Sequence, residues 1–126
     1  MISGMILAES LANQSVIEGG QLKIEDRYPM LMDGVTPVEV VMVSVAASSL
    51  LPALVDISKA LLPGRFYAHF VDGDLMYVVF PSTISVVEKN SKSDAMACIE
   101  VGRKFDIPES QLPIERMFSF RHAEHD

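Results

Sequence analysis

The chain has 126 residues, 13.8 kDa, and a net charge of −7 from 17 acidic and 10 basic side chains. That length fits one domain with its own core, and 49% apolar against 21% charged residues is a globular balance rather than a disordered one. The acidity is spread over both halves with no basic stripe, which argues against nucleic acid and anionic membrane as partners, and the single Cys98 excludes an internal disulfide and suits a reducing cytoplasm.

Met1 to Leu11 is apolar but lacks a basic start and is broken by Ser3, Gly4 and Glu9, so it does not read as a signal peptide. Met5 to Glu9 is a short strand. Asn13 to Gly20 is a polar loop ending in Gly19-Gly20, which is no phosphate loop because no P-loop lysine follows. Gln21 to Tyr28 alternates with period 2, as a half-exposed strand does. Pro29 to Pro37, with Asp33-Gly34, connects it to the β-branched run Val38 to Val45, a central strand buried on both faces. Val40 to Val55 is uncharged but shorter than a membrane span, and three serines and Pro52 interrupt it.

Ser48 or Ser49 caps a helix running to about Leu62, with Leu50, Leu54, Ile57 and Leu61 on one stripe. Leu51, Val55 and Leu62 on one side, and Ala53 and Ala60 on the other, widen the apolar arc to roughly 220°, against ~100° for a helix with one buried face. Such a helix touches more than one neighbour, either the other helix or another subunit. Pro63-Gly64 ends it.

Phe66 to Pro81 then reads as a β-hairpin around Asp72-Gly73, holding five of the nine aromatic residues. A two-residue turn there pairs Val71 with Asp74, His69 with Met76 and Tyr67 with Val78. Tyr67, His69, Met76, Val78 and Phe80 then share one face, and Phe66, Ala68, Phe70, Leu75, Tyr77 and Val79 the other. A three-residue turn would set His69 opposite Tyr77. Thr83 to Glu88 is a third strand. Ser93 caps a second helix to about Phe105, with Cys98 and Gly102 on its apolar stripe and Glu100 and Arg103 on its solvent side. Pro108 to Leu112 is a helical turn, and residues 113–126 read as an irregular tail.

These elements predict a single α+β domain in the order βββαβββα. Its sheet is mostly antiparallel, of five to six strands, with two helices packed on one face. The hairpin's second apolar face then needs another cover.

Several pieces from Pro63 onward resemble a family of small uncharacterised bacterial proteins with no assigned activity. The matching residues are Pro63-Gly64, Phe66-Tyr67-Ala68-His69-Phe70, Asp72-Gly73-Asp74, Val78-Val79-Phe80-Pro81, Ile99-Glu100, Gly102-Arg103, Ile107-Pro108-Glu109 and Gln111-Leu112. The resemblance implies a compact bacterial α+β domain and carries over no site residue. Asp106 stands where the family has glycine and Pro113 where it has aspartate, and Ile114 to Asp126 looks like an extension.

No catalytic signature is present. The leading expectation is a non-catalytic cytoplasmic domain that self-associates and binds a protein or small-molecule partner through an apolar surface, with no cofactor. The alternative is a small enzyme with a pocket around His69 and Tyr67 or Tyr77, the histidine acting as acid, base or ligand. A third reading places a divalent metal on His122 and His125, although their His-x-x-His spacing is not the zincin pattern. Cys98 is read as a small buried hydrophobe rather than a nucleophile. The eight methionines, with Met30 and Met32 in a loop, are read as either an adaptable contact surface or, for most of them, core filling.

Overall fold

Alternating and β-branched runs set six strands, and the two long apolar stripes set two of the helices. The computed structural model describes residues 1–32, 34–64 and 66–120. In chain order these form β1 (Ile2–Leu7), α1 (Ser15–Glu18), β2 (Lys23–Met32), β3 (Thr36–Val45), α2 (Leu50–Ala60), β4 (Ala68–Asp72), β5 (Leu75–Phe80), β6 (Thr83–Glu88), α3 (Lys92–Lys104) and α4 (Ile114–Met117). The fold is α+β. Its open sheet has the strand order β2-β3-β1-β4-β5-β6, and every neighbouring pair is antiparallel.

Two expectations about the number and placement of the helices need correction. The order βββαβββα with two helices becomes one with four, because α1 and α4 are single turns of four residues, too short to leave a period in the sequence. The two long helices also do not share a face. Leu50, Ala53, Leu54 and Ile57 of α2 pack with Ile6, Val43, Phe70 and Val79. Cys98 of α3 packs with Met76, Val78, Phe80 and Val87, together with Ile107, Leu112 and Met117 from the segment beyond it. Val79 and its neighbours Val78 and Phe80 point to opposite faces of one strand, and all three are fully buried. Two apolar faces require two covers, so the helices divide between them.

The wide arc of α2 is only partly used. Ala53 and Ala60 are buried, whereas Leu51 is 66% exposed and Leu62 38%. The sheet takes one side of the arc and leaves the other to solvent.

The hairpin faces agree with the period-2 reading, but the turn lies one residue later. Asp72 pairs with Leu75 and His69 with Val78. The central residues are therefore Gly73 and Asp74. Gly73 has φ 60, while Asp74 is not in the positive region, so glycine fills the first central position, as a type II′ turn requires. This slips the pairing by two and leaves every side chain on its expected face.

The cap of helix α3 lies two residues before the expected one. Ser91, not Ser93, is the N-cap: its Oγ accepts from the Asp94 N–H at 3.2 Å, and the Asp94 carboxylate accepts from the Glu88 N–H at 3.0 Å. At the other end the Ile107 N–H donates to Gly102 O (3.0 Å) and the Asp106 N–H to Arg103 O (3.1 Å). This is a Schellman cap with Asp106 at the left-handed position, φ 61. Glycine holds that conformation with no Cβ penalty. Asp106→Gly is therefore expected to raise stability by about 0.5 kcal/mol, the relieved strain being offset in part by the freer unfolded chain. Urea denaturation with an unchanged m-value checks it.

Candidate functional site

Strand β4 lies between β1 and β5, and its alternation turns His69 to the α3 side of the sheet. There His69 stands opposite Met5 of β1 and Val78 of β5. Tyr67, two residues earlier, points the same way. Met30 and Met32 of β2 and Leu7 of β1 reach the same region, and Gln111 closes it from the chain beyond α3. The result is a small cleft lined by Met5, Leu7, Met30, Met32, Tyr67 and His69, with a cavity volume of about 30 Å³. That holds about two waters, whereas small-molecule sites run to several hundred cubic ångströms.

Two polar groups of this cleft, His69 Nε2 and the Tyr67 hydroxyl, are directed at backbone carbonyls. His69 is 2% exposed, and its Nε2 lies 3.1 Å from the Met117 carbonyl. A carbonyl only accepts, so Nε2 carries the proton and donates it. The Phe120 ring stacks on the imidazole, with centroids 5.0 Å apart and planes at 25°. The Tyr67 hydroxyl donates to the Gln111 carbonyl at 2.6 Å and lies 3.9 Å from Met117 Sδ. Burial pushes the Tyr67 phenol above its ordinary value, so it stays a donor at neutral pH. Both side chains therefore bond the chain beyond α3, Tyr67 at the turn that ends on Gln111 and His69 at the end of α4. Met117 is fully buried beneath them, and the part of the tail from Pro113 to Phe120, read from sequence as irregular, is docked on the sheet.

The other sequence candidates fall elsewhere. Tyr77 is on the opposite face from His69, packed half-buried against the α2 side, so the structure does not bring the two together. His122 and His125 lie outside the described residues. Among the described residues no cluster of three or more His, Cys, Asp or Glu side chains could hold a metal ion. Cys98 is buried, and its thiol is pushed up to about 11 by that burial despite the Ser85 hydrogen bond, which acts the other way. It is a core thiol. Arg103 pairs with Glu100 and also reaches Glu109 at 3.2 Å, tying α3 to the turn after it on an exposed surface.

The sequence singles out Met30 and Met32 but as loop residues, with nothing to set them beside Tyr67 and His69. The alternation Met30-x-Met32 places both side chains on one face, but only if β2 runs through Pro29, which the sequence reading treated as a stop. Met117 and Gln111 left no usable signal, because they arrive from 44 and more residues away. Compared with family models, with curated proteins and with solved structures, the chain finds no match in any of the three.

Proposed function

We propose that the protein is a non-catalytic domain that works by self-association. The carrying observation is an apolar patch at the far end of the β5–β6 pair, on the α2 side. Tyr77 and Val86 face each other directly across the two strands, and Leu75 lies two residues from Tyr77 on the same face. Helix α2 covers the neighbouring Val79–Ile84 pair but stops short of this one, leaving Val86 52% and Leu75 37% exposed. A patch of this kind beside an open sheet edge suits an isologous contact between two copies. The small cavity supports a reading without catalysis, as do the bonds from Tyr67 and His69 to backbone carbonyls.

A reducing cytoplasm suits the single buried thiol. Membership of the bacterial family resembled from Pro63 onward is part of the same proposal. It is supported at Asp106, where the left-handed backbone is one that the family's glycine would take without strain. Among the described residues no helix is long and apolar enough to cross a membrane.

Sedimentation velocity over a hundredfold range of concentration tests the proposal. Growth of a species at twice the 13.8 kDa chain mass is expected, and a monomer at every concentration would overturn it.

A further inference from the structure

The two edges of the sheet differ in how they are protected. An edge strand exposes backbone N–H and C=O groups that can pair with another strand, and proteins guard such edges with proline, bulges and charge. Strand β2 has all three: Pro29, a register shift between Ile24 and Asp26, and Lys23, Glu25, Asp26 and Arg27 within five residues. Where β3 outruns β1, the Glu39 N–H is taken by the Glu9 carboxylate, at 2.9 and 3.2 Å to its two oxygens. Strand β6 has neither proline nor bulge, and its six residues, Thr-Ile-Ser-Val-Val-Glu, hold one charge at the end.

The hydrogen bonds show which groups β6 leaves open. The Lys89 N–H donates inward to Asp74 O at 2.8 Å. By the alternation of an antiparallel ladder, the N–H and C=O groups of Ile84, Val86 and Glu88 therefore face outward. The Glu88 N–H is taken by Asp94. Among the described residues no hydrogen bond takes those of Ile84 and Val86.

We infer that β6 is the self-association surface, pairing antiparallel with β6 of a second copy about a two-fold axis near Val86. This rests on the self-association proposed above and names its interface. A two-fold perpendicular to the sheet continues each face into the same face of the other copy. It sets the outward groups of the two Val86 residues against each other. Ile84 of each copy then stands opposite Glu88 of the other, where its N–H can donate to the Glu88 carbonyl while the Glu88 N–H stays with Asp94. The exposed side chains then meet as well, Val86 against Val86 with a Tyr77 on either side. Charge permits the contact: the two Glu88 carboxylates lie four residue steps apart along the pair, roughly 13 Å, beyond the screening length of about 8 Å at physiological salt. The occupant is a second copy because the strand is self-complementary, apolar at its centre and uncharged across the axis.

The test uses the full chain with two kinds of change at an already exposed residue. Val86→Lys brings two ammonium groups together at the axis. It is expected to weaken the dimer by roughly tenfold or more while leaving the circular dichroism spectrum unchanged. Val86→Cys is expected to be joined into a covalent dimer by a short thiol-bridging reagent, since Cys98 is buried. Val35→Cys, 75% exposed at the β2–β3 tip, is expected to stay monomeric under the same reagent. A dimer indifferent to Val86→Lys, or one bridged through Val35→Cys and not Val86→Cys, overturns the β6 interface while self-association stands. A wild type that is monomeric throughout leaves only a foreign strand for the edge and overturns both.

Discussion

Gly4→Ala is expected to destabilise the fold by about 3 kcal/mol, at the upper end of what overpacking costs. Gly4 sits in the middle of β1, with Val43 opposite on one side and Phe70 on the other. The Phe70 ring lies across the strand, over the place where any other residue carries its Cβ. A Cβ built there falls inside the van der Waals surface of three ring atoms. The ring cannot swing aside, because Phe70 is fully buried among Ile6, Val43, Val79 and the α2 side chains. The methyl group must therefore displace either the aromatic ring or the central strand. The check is a double-mutant cycle by urea denaturation. Phe70→Leu alone loses packing, but it also vacates the space the methyl needs, so the double variant is expected to lose less than the sum of the two single ones. Strict additivity would mean that the clash is relieved some other way. Since domains are stable by only about 5–15 kcal/mol, the single change removes a large share of the total.

The parts of this fold legible in the sequence are those that a local period determines. Val38 to Val45 declares a central strand, and the hairpin's alternation assigns Tyr67, His69, Met76, Val78 and Phe80 to one face. That assignment survives the misplaced turn because a slip of two residues restores every side chain to its face. What stayed hidden depends on non-local choices. The stripe of α3 shows which side of the helix is apolar and not which side of the sheet it meets. Pro29 reads as a stop, yet it lies inside β2 because that strand is at the sheet edge, where a missing N–H costs no ladder bond. The site was half legible. Tyr67 and His69 stand out from their place on the hairpin, but nothing in the helical turn that holds Gln111, or in the tail that holds Met117 and Phe120, shows that either docks beside them. Phe120 takes a left-handed backbone, φ 58, that no bulky residue advertises.

That arrangement gives His69 a role that can be measured. If its task is to hold the C-terminal segment to the sheet, His69→Ala removes the bond to the Met117 carbonyl, the stack on Phe120 and a filled volume at once. The expected loss is about 2–4 kcal/mol, mostly from the cavity. Tyr67→Phe keeps the ring and gives up only the hydroxyl, so it is expected to lose about 1 kcal/mol. Magnitude alone would not separate clamping from ordinary packing, so the pattern of hydrogen exchange carries the test. The amides of Arg116 and Met117 donate to Pro113 O, each at 3.0 Å, and those of Ser119 and Phe120 close the next turn. In His69→Ala these four are expected to exchange through a local opening much faster than the amides of β1 and β3, whose Ile2, Ile6, Val41, Val43 and Val45 side chains pack in the α2-side core. Uniform acceleration across the sheet, with residues 114–120 no different from the rest, would show that His69 supports the core as a whole rather than clamping the segment. Met117 links the two outcomes. It is fully buried, and its sulfur touches the Tyr67 hydroxyl. Met117→Ala should therefore free the same four amides with both His69 and Tyr67 left in place, because the clamp needs a packed side chain beneath it as well as bonds across it.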